Sequence, residues 1–186
     1  MAKKKFSEFF QMTQGYFLTY LPNQRNSSDH TIRAYQNSVD QLAEFVAKRR
    51  DICLWDVDFP LIDSTILSEF LDSIEAAGNC VATRNQRLKG IRAFYSYAAM
   101  MRPILINYHS EICKVPFKKN TLEQSVDYLS EEVVKALLAA PDAGTKKGLR
   151  DQFLLIFLYD SAARVQEAAD VKLKDIRAGK TLVQYF

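Results

Sequence analysis

The sequence predicts a mainly α-helical chain in two parts. A four-helix domain covers residues 1–113, and a second, largely helical region over 128–186 closes on a β-strand. Three observations carry this reading. Apolar residues recur at spacings of three and four through most of the length. Several of those runs open on Ser or Asp, the residues that cap exposed helix N–H groups. Only Lys180–Phe186 alternates in the manner of a strand. With 186 residues, 48% hydrophobic and 12% aromatic, the chain has material for real cores, which excludes wholesale disorder.

The elements follow in order. Phe6, Phe9, Phe10, Phe17, Tyr20 and Leu21 define an aromatic first helix, stopped by Pro22 and the polar loop Asn23–Ser28. Ser28 or Asp29 caps a second helix with Ile32, Tyr35, Val39, Leu42 and Val46 inward, and Lys48, Arg49 and Arg50 suit its carbonyl end. A third helix follows Asp63 and ends at Gly78, with Ile66, Leu67, Phe70, Leu71 and Ile74 inward. The fourth runs from about Val81 to Met101, ended by Pro103, on a core stripe of Leu88, Ile91, Tyr95 and Ala98. After a short helix near Tyr108–Ile112, residues 114–127 lose apolar period and read as a basic linker holding Lys118 and Lys119. Ser130 then caps a helix with Leu137 and Leu138 inward, and a helix over roughly Thr145–Ser161 carries the uncharged block Phe153–Tyr159, long enough to be buried.

Charge is segregated along the chain although the net value is only +3. Residues 81–120 carry eight Lys or Arg against Glu111 alone, while residues 51–80 carry seven Asp or Glu and no base. A concentrated basic block points to a polyanion, with the acidic block facing away from it. On the fourth helix Asn85, Lys89, Arg92 and Ser96 lie at helical spacing opposite the core stripe, with no acid across residues 81–110. Cations there suit phosphates and an Asn suits a base edge. Ser28, Thr31 and Arg33 offer hydroxyls and helix-terminal N–H groups to a further phosphate.

Other functions are argued against. No apolar run approaches the roughly 20 residues of a membrane span, and Met1–Lys5 leads into no signal-peptide core, so a cytoplasmic protein is expected. Cys53, Cys80 and Cys113 fit neither a disulfide framework nor a zinc pattern and read as buried small apolar residues. His30 and His109 have no ligand partner at metal spacing, so no metal site is expected.

Leu155–Ile176 sets a single arginine, Arg164, behind the apolar block, with Glu167 three residues on. A guanidinium beside a buried helix is costly to desolvate unless an anion meets it. Glu167 can fix it from the same face and leave other donors for an oxyanion such as phosphate. The residues alone favour a structural Arg–Glu pair at a helix junction.

Tyr159, Asp160, Ser161, Ala163, Arg164, Val165 and Glu167, followed by Asp175-Ile176, resemble the first arginine motif of the tyrosine recombinase (phage integrase) superfamily. Ala162 stands where that family usually has Gly, and Ala168 where it usually has Leu. The first departure strains the turn if positive φ is required there. Ser28, Thr31 and Tyr35 are similar to the opening of the family's long helix, and Thr83, Asn85, Leu88, Phe94 and Tyr95 to a later run.

The resemblance implies a SAM-like core-binding domain over 1–113, a linker over 114–127, and the N-terminal helical part of a catalytic domain over 128–186. It implies double-stranded DNA as partner, contacted by Ser28, Thr31, Arg33, Thr83, Arg84, Asn85, Lys89, Arg92, Lys118 and Lys119. Arg164 becomes a catalytic residue in DNA integration and recombination through a phosphotyrosine, chemistry that uses no metal or nucleotide cofactor. No His-x-x-Arg or later tyrosine helix follows, and Tyr185 reads as a strand aromatic. The expectation is therefore a fragment or truncated product, unable to cleave DNA alone, which self-associates or is completed by another recombinase chain. The competing class is a helical protein-interaction or transcription-regulator module in which Arg164 is structural.

Overall fold

The structure, a computed structural model, describes residues 7–119, 128–178 and 183–185. The chain divides into two compact units, Met1–Leu122 and Glu123–Phe186.

In the first unit α1 (Glu8–Gly15) starts where the Ser7 hydroxyl accepts the Phe10 N–H. It passes without a break into a π-helical stretch, Tyr16–Gln24, which contains Pro22. The predicted stop at Pro22 is thus wrong. The wider π spacing moves the carbonyl that a proline ring would strike in an α-helix, and the Arg25 N–H bonds to the Tyr20 carbonyl, five residues back, at 3.0 Å. Ser28 caps α2 (Asp29–Arg50), and Asp51 closes it in the left-handed region at φ +52°. Asp63 caps α3 (Ser64–Ala76) by accepting the Ile66 N–H at 2.8 Å, and Gly78 turns the chain at φ +89°. Next come α4 (Val81–Met101), a 3-10 turn led by Pro103, and α5 (Ile106–Cys113).

The core of this unit is aromatic and centred on Phe94 of α4. Its ring centroid lies 5.2 Å from Phe9, 5.7 Å from Tyr16, 5.7 Å from Tyr95 and 6.1 Å from Phe59. Leu88, Ile91, Tyr95 and Ala98 are buried as the stripe predicts. The helices α2 and α4 approach closely at Gly90, where an added Cβ would sit 3.1–3.2 Å from Ser38 and Tyr35. Ser38 is fully buried there, its hydroxyl donating to the Ala34 carbonyl.

The second unit holds α6 (Glu131–Ala139, capped by Ser130), α7 (Lys146–Ser161, capped by Thr145) and α8 (Val165–Asp170). Two short strands follow, β1 (Ile176–Ala178) and β2 (Val183–Tyr185), paired antiparallel with Ile176 opposite Tyr185. Sequence reading did not find β1, because three residues are too few to show a period. Nor is the block Phe153–Tyr159 buried. Only Phe157 is, whereas Phe153, Leu154, Ile156 and Tyr159 are exposed, as is Leu137 on α6. An uncharged run shows that a helix has apolar faces, not that the described residues cover them.

Truncating Phe94 to Ala removes the ring on which the first unit's aromatics converge and should cost about 3–5 kcal/mol, read by denaturant unfolding. Tyr95→Phe should cost nothing or stabilise, since the fully buried Tyr95 hydroxyl has no hydrogen-bond partner among the described residues.

Candidate nucleic-acid interface

The basic stretch of α4 separates into two faces with different work. Arg84 is only 4% exposed. Its guanidinium lies 3.3 Å from Glu75 and donates to the Pro116 carbonyl at 2.9 Å and to Asn85 Oδ1 at 3.2 Å. The assignment of Arg84 to a DNA surface is therefore corrected: it is a structural cation, tolerated inside because an acid and a carbonyl meet it.

Asn85 is engaged as well. Its Nδ2 donates to the Lys118 carbonyl at 2.7 Å, and its Oδ1 accepts the Lys118 N–H at 3.0 Å, much as a neighbouring strand would. Arg92 donates to the Cys113 carbonyl at 2.9 Å and to the Val115 carbonyl, and its guanidinium stacks 4.6 Å above the Phe117 ring. Lys118 pairs with Glu75 at 2.8 Å. Residues 114–118, read from sequence as the start of a linker, thus pack along α4, with Val115 buried. Nor does the acidic block face wholly away from the basic one, since Glu75 neutralises both Arg84 and Lys118.

The open face of α4 is rotated from the predicted one. Ala82, Gln86, Lys89, Ser96 and Met100 are exposed along it at helical spacing. Lys89 and Ser96 were in the predicted stripe; Gln86 was missed, and the only sequence signal for it is its position four residues after Ala82. Thr83 is half-buried, with its hydroxyl 3.4 Å from Cys80 Sγ. Beside this face, across the close approach at Gly90, runs the first half of α2. Ser28 Oγ accepts the Thr31 N–H at 3.3 Å and lies 3.1 Å from Thr31 Oγ1, so both hydroxyls serve the cap. Arg33, Lys89 and Lys119 are exposed and form no ion pair among the described residues.

Arg164 is the N-cap residue of α8, and its setting is not apolar: the side chain is 86% exposed. The Glu167 carboxylate accepts both the Arg164 backbone N–H at 2.9 Å and Nη1 at 2.8 Å. Those two bonds, the backbone one foremost, hold the Glu167 carboxyl below the usual range for a glutamate. The pair is intact above that range and lost as pH falls through it. Ala162, just before, adopts φ +50°, the left-handed conformation that a Gly would take without strain.

All three cysteines are exposed rather than buried. His109 Nε2 lies 3.4 Å from Cys113 Sγ, a proximity at i,i+4 that the sequence reading overlooked. Among the described residues no three His, Cys, Asp or Glu side chains gather as a metal site, and no helix is long and apolar enough to cross a membrane.

Residues 15–101 match the family described as "Phage integrase, N-terminal SAM-like domain". Across 176 residues, 94% of this chain and 53% of the other, the sequence is 32% identical to a Sinorhizobium fredii (strain NBRC 101917 / NGR234) protein named as integrase/recombinase y4rC. A second protein of that strain, named as integrase/recombinase y4rD, is 31% identical over 89% of this chain and 59% of its own length. Tyrosine recombinase XerC of Staphylococcus haemolyticus (strain JCSC1435) is 28% identical over 86% of this chain and 50% of its own. The matched domain and these relatives together support the tyrosine recombinase superfamily. The chain spans about half the length of these relatives.

Two substitutions test the placements. Arg84→Ala should destabilise the first unit by about 1–3 kcal/mol in denaturant unfolding, because the Pro116 carbonyl and one Glu75 oxygen lose a buried donor although Lys118 still pairs with Glu75. Ala162→Gly should stabilise the second unit by about 1 kcal/mol, read as a higher thermal midpoint, by relieving the left-handed turn.

Proposed function

We propose that this chain is the DNA-binding portion of a site-specific tyrosine recombinase and that its partner is double-stranded DNA. The observation that carries the reading is the open face of α4: Gln86, Lys89 and Ser96 stand in line without an interleaved acid, and Ser96 borders the same cleft as Thr31 of α2. Such a face offers cations to phosphates and an amide and hydroxyl to base edges. Ser28 and Thr83 contribute by fixing helix starts; Asn85, Arg92 and Lys118 contribute by holding residues 114–118 in place; Lys119, exposed beyond them, is a phosphate contact. That packing supports an interdomain linker beginning after Lys118 rather than at 114.

In the same reading Arg164 is the phosphate-binding arginine of the complete recombinase. Glu167 orients it through Nη1 alone, which leaves the remaining guanidinium donors for a scissile phosphate. The nucleophilic tyrosine and second arginine that such chemistry requires have no counterpart among these 186 residues. Strand cleavage in the family's manner needs those groups as well as Arg164.

Fluorescence anisotropy with a labelled duplex at graded salt tests the proposal. Affinity should fall steeply with salt, and Lys89→Ala and Arg33→Ala should each weaken binding and lower the salt slope by about one. Arg164→Ala should leave duplex affinity nearly unchanged. No duplex binding at low salt would refute the reading and favour a protein-interaction module.

A further inference from the structure

Between the π-helical stretch, the start of α2 and the middle of α4 lies a half-open cleft of about 300 Å³ that meets the duplex-facing side only at Thr31, Ser96 and Met100. Four tyrosines line it, Tyr16, Tyr20, Tyr35 and Tyr97, together with Arg25. Ser27, Thr31 and Ser96 add hydroxyls, Leu21, Ala93 and Met100 an apolar end, and no carboxylate lines it.

Three features mark it as built. First, Tyr16 is 2% exposed and Tyr97 is 8% exposed, yet neither hydroxyl forms a hydrogen bond among the described residues. Both residues line the cleft and neither hydroxyl is sealed from solvent, so two donors are free for a ligand there. Burial and the neighbouring Tyr35 and Tyr20 hold the Tyr16 hydroxyl well above the ordinary tyrosine range, so it stays a neutral donor. Second, the rings are held together: Tyr20 and Tyr97 centroids lie 4.7 Å apart, and Tyr16 and Tyr20 stack at 5.8 Å. The Tyr97 hydroxyl reaches this place because residue 15 is glycine, where a Cβ would come within 2.7 Å of it. Third, Arg25 forms no ion pair among the described residues and follows directly from the π-helical stretch, whose last bond is its own N–H to Tyr20. π-helical insertions are frequent at functional sites.

A lone cation among hydroxyls, with no acid, selects an anion; a tyrosine wall beside it selects a flat ring. We propose that this cleft is a nucleotide pocket, in which Arg25, Ser27 and Thr31 take a nucleoside phosphate and the tyrosine wall takes its base. The nucleotide comes either free from solution or as an unpaired unit of a DNA strand, and both present the same chemistry. The pocket goes beyond the duplex-binding reading and does not rest on it.

Calorimetric titration of the full chain with dTMP, thymidine and inorganic phosphate decides it. The expected result is that dTMP binds at least tenfold more tightly than thymidine or phosphate. Arg25→Ala should lose at least tenfold, and Tyr35→Phe a smaller factor, with helical content by circular dichroism unchanged in both. Displacement of dTMP by a duplex carrying one extrahelical thymidine, but not by the continuous duplex, assigns the strand as source; displacement by neither assigns the free nucleotide. Absence of dTMP binding at millimolar concentration overturns the pocket, even if Arg25→Ala weakens duplex binding, because Arg25 is then only a backbone contact. The Lys89→Ala duplex titration fails or succeeds separately, so loss of one proposal leaves the other standing.

Discussion

Burial of the Phe94 ring sets the rotation of α4, and the chemistry of the first unit depends on that rotation. A helix advances about 100° per residue, so once Leu88, Ile91, Phe94, Tyr95 and Ala98 are inward the direction of every other side chain is decided. Tyr97 is carried to the cleft wall, Arg84 into the seam with Glu75, and Gln86, Lys89 and Ser96 to solvent. Gly90 falls where α2 passes, and its missing side chain lets Ser38 and Tyr35 come close. Without that approach the start of α2 would not border the open stripe.

Much of this was legible in the sequence, for a physical reason. Ser28, Asp63, Ser130 and Thr145 stand where helices begin because their short oxygens reach unpaired N–H groups, a local effect independent of the rest of the fold. The core stripe of α4 was equally readable, since burial leaves a period. The polar faces were not. Asn85, Lys89 and Arg92 look alike in a sequence, yet only Lys89 is open, because residues 113–118 return along α4 and their carbonyls need donors. That segment carries no apolar period, and its packing is a tertiary event. Pro22 misled for a related reason: its veto holds for the α spacing, and the chain widens to the π spacing around it.

The segregation of charge takes a different meaning once the contacts are known. Eight bases against one acid between residues 81 and 120 suggest a broad cationic surface. Two of the eight, Arg84 and Lys118, are neutralised by Glu75, Lys114 pairs with Glu111, and Arg102 pairs with Glu8. Part of the basic block therefore holds the unit together, and the field toward a polyanion comes from fewer residues, Lys89 and Arg33 among them. A smaller, localised field favours a defined docking face over diffuse attraction.

The turn before Arg164 shows the same interplay in the second unit. Placing a guanidinium at a helix start, 86% exposed and tethered by one nitrogen to Glu167, requires the chain to reverse sharply after α7. Ala162 makes that reversal at φ +50°, at a cost of roughly 1 kcal/mol that a glycine would avoid. The departure from the family's glycine therefore bears on stability and leaves the geometry in place. Glu167 still spans the backbone N–H and the side chain of Arg164, so the strained turn and the oriented cation coexist. Such strain persists where surrounding contacts over-determine the turn, and here the two bonds from Arg164 to Glu167 do so.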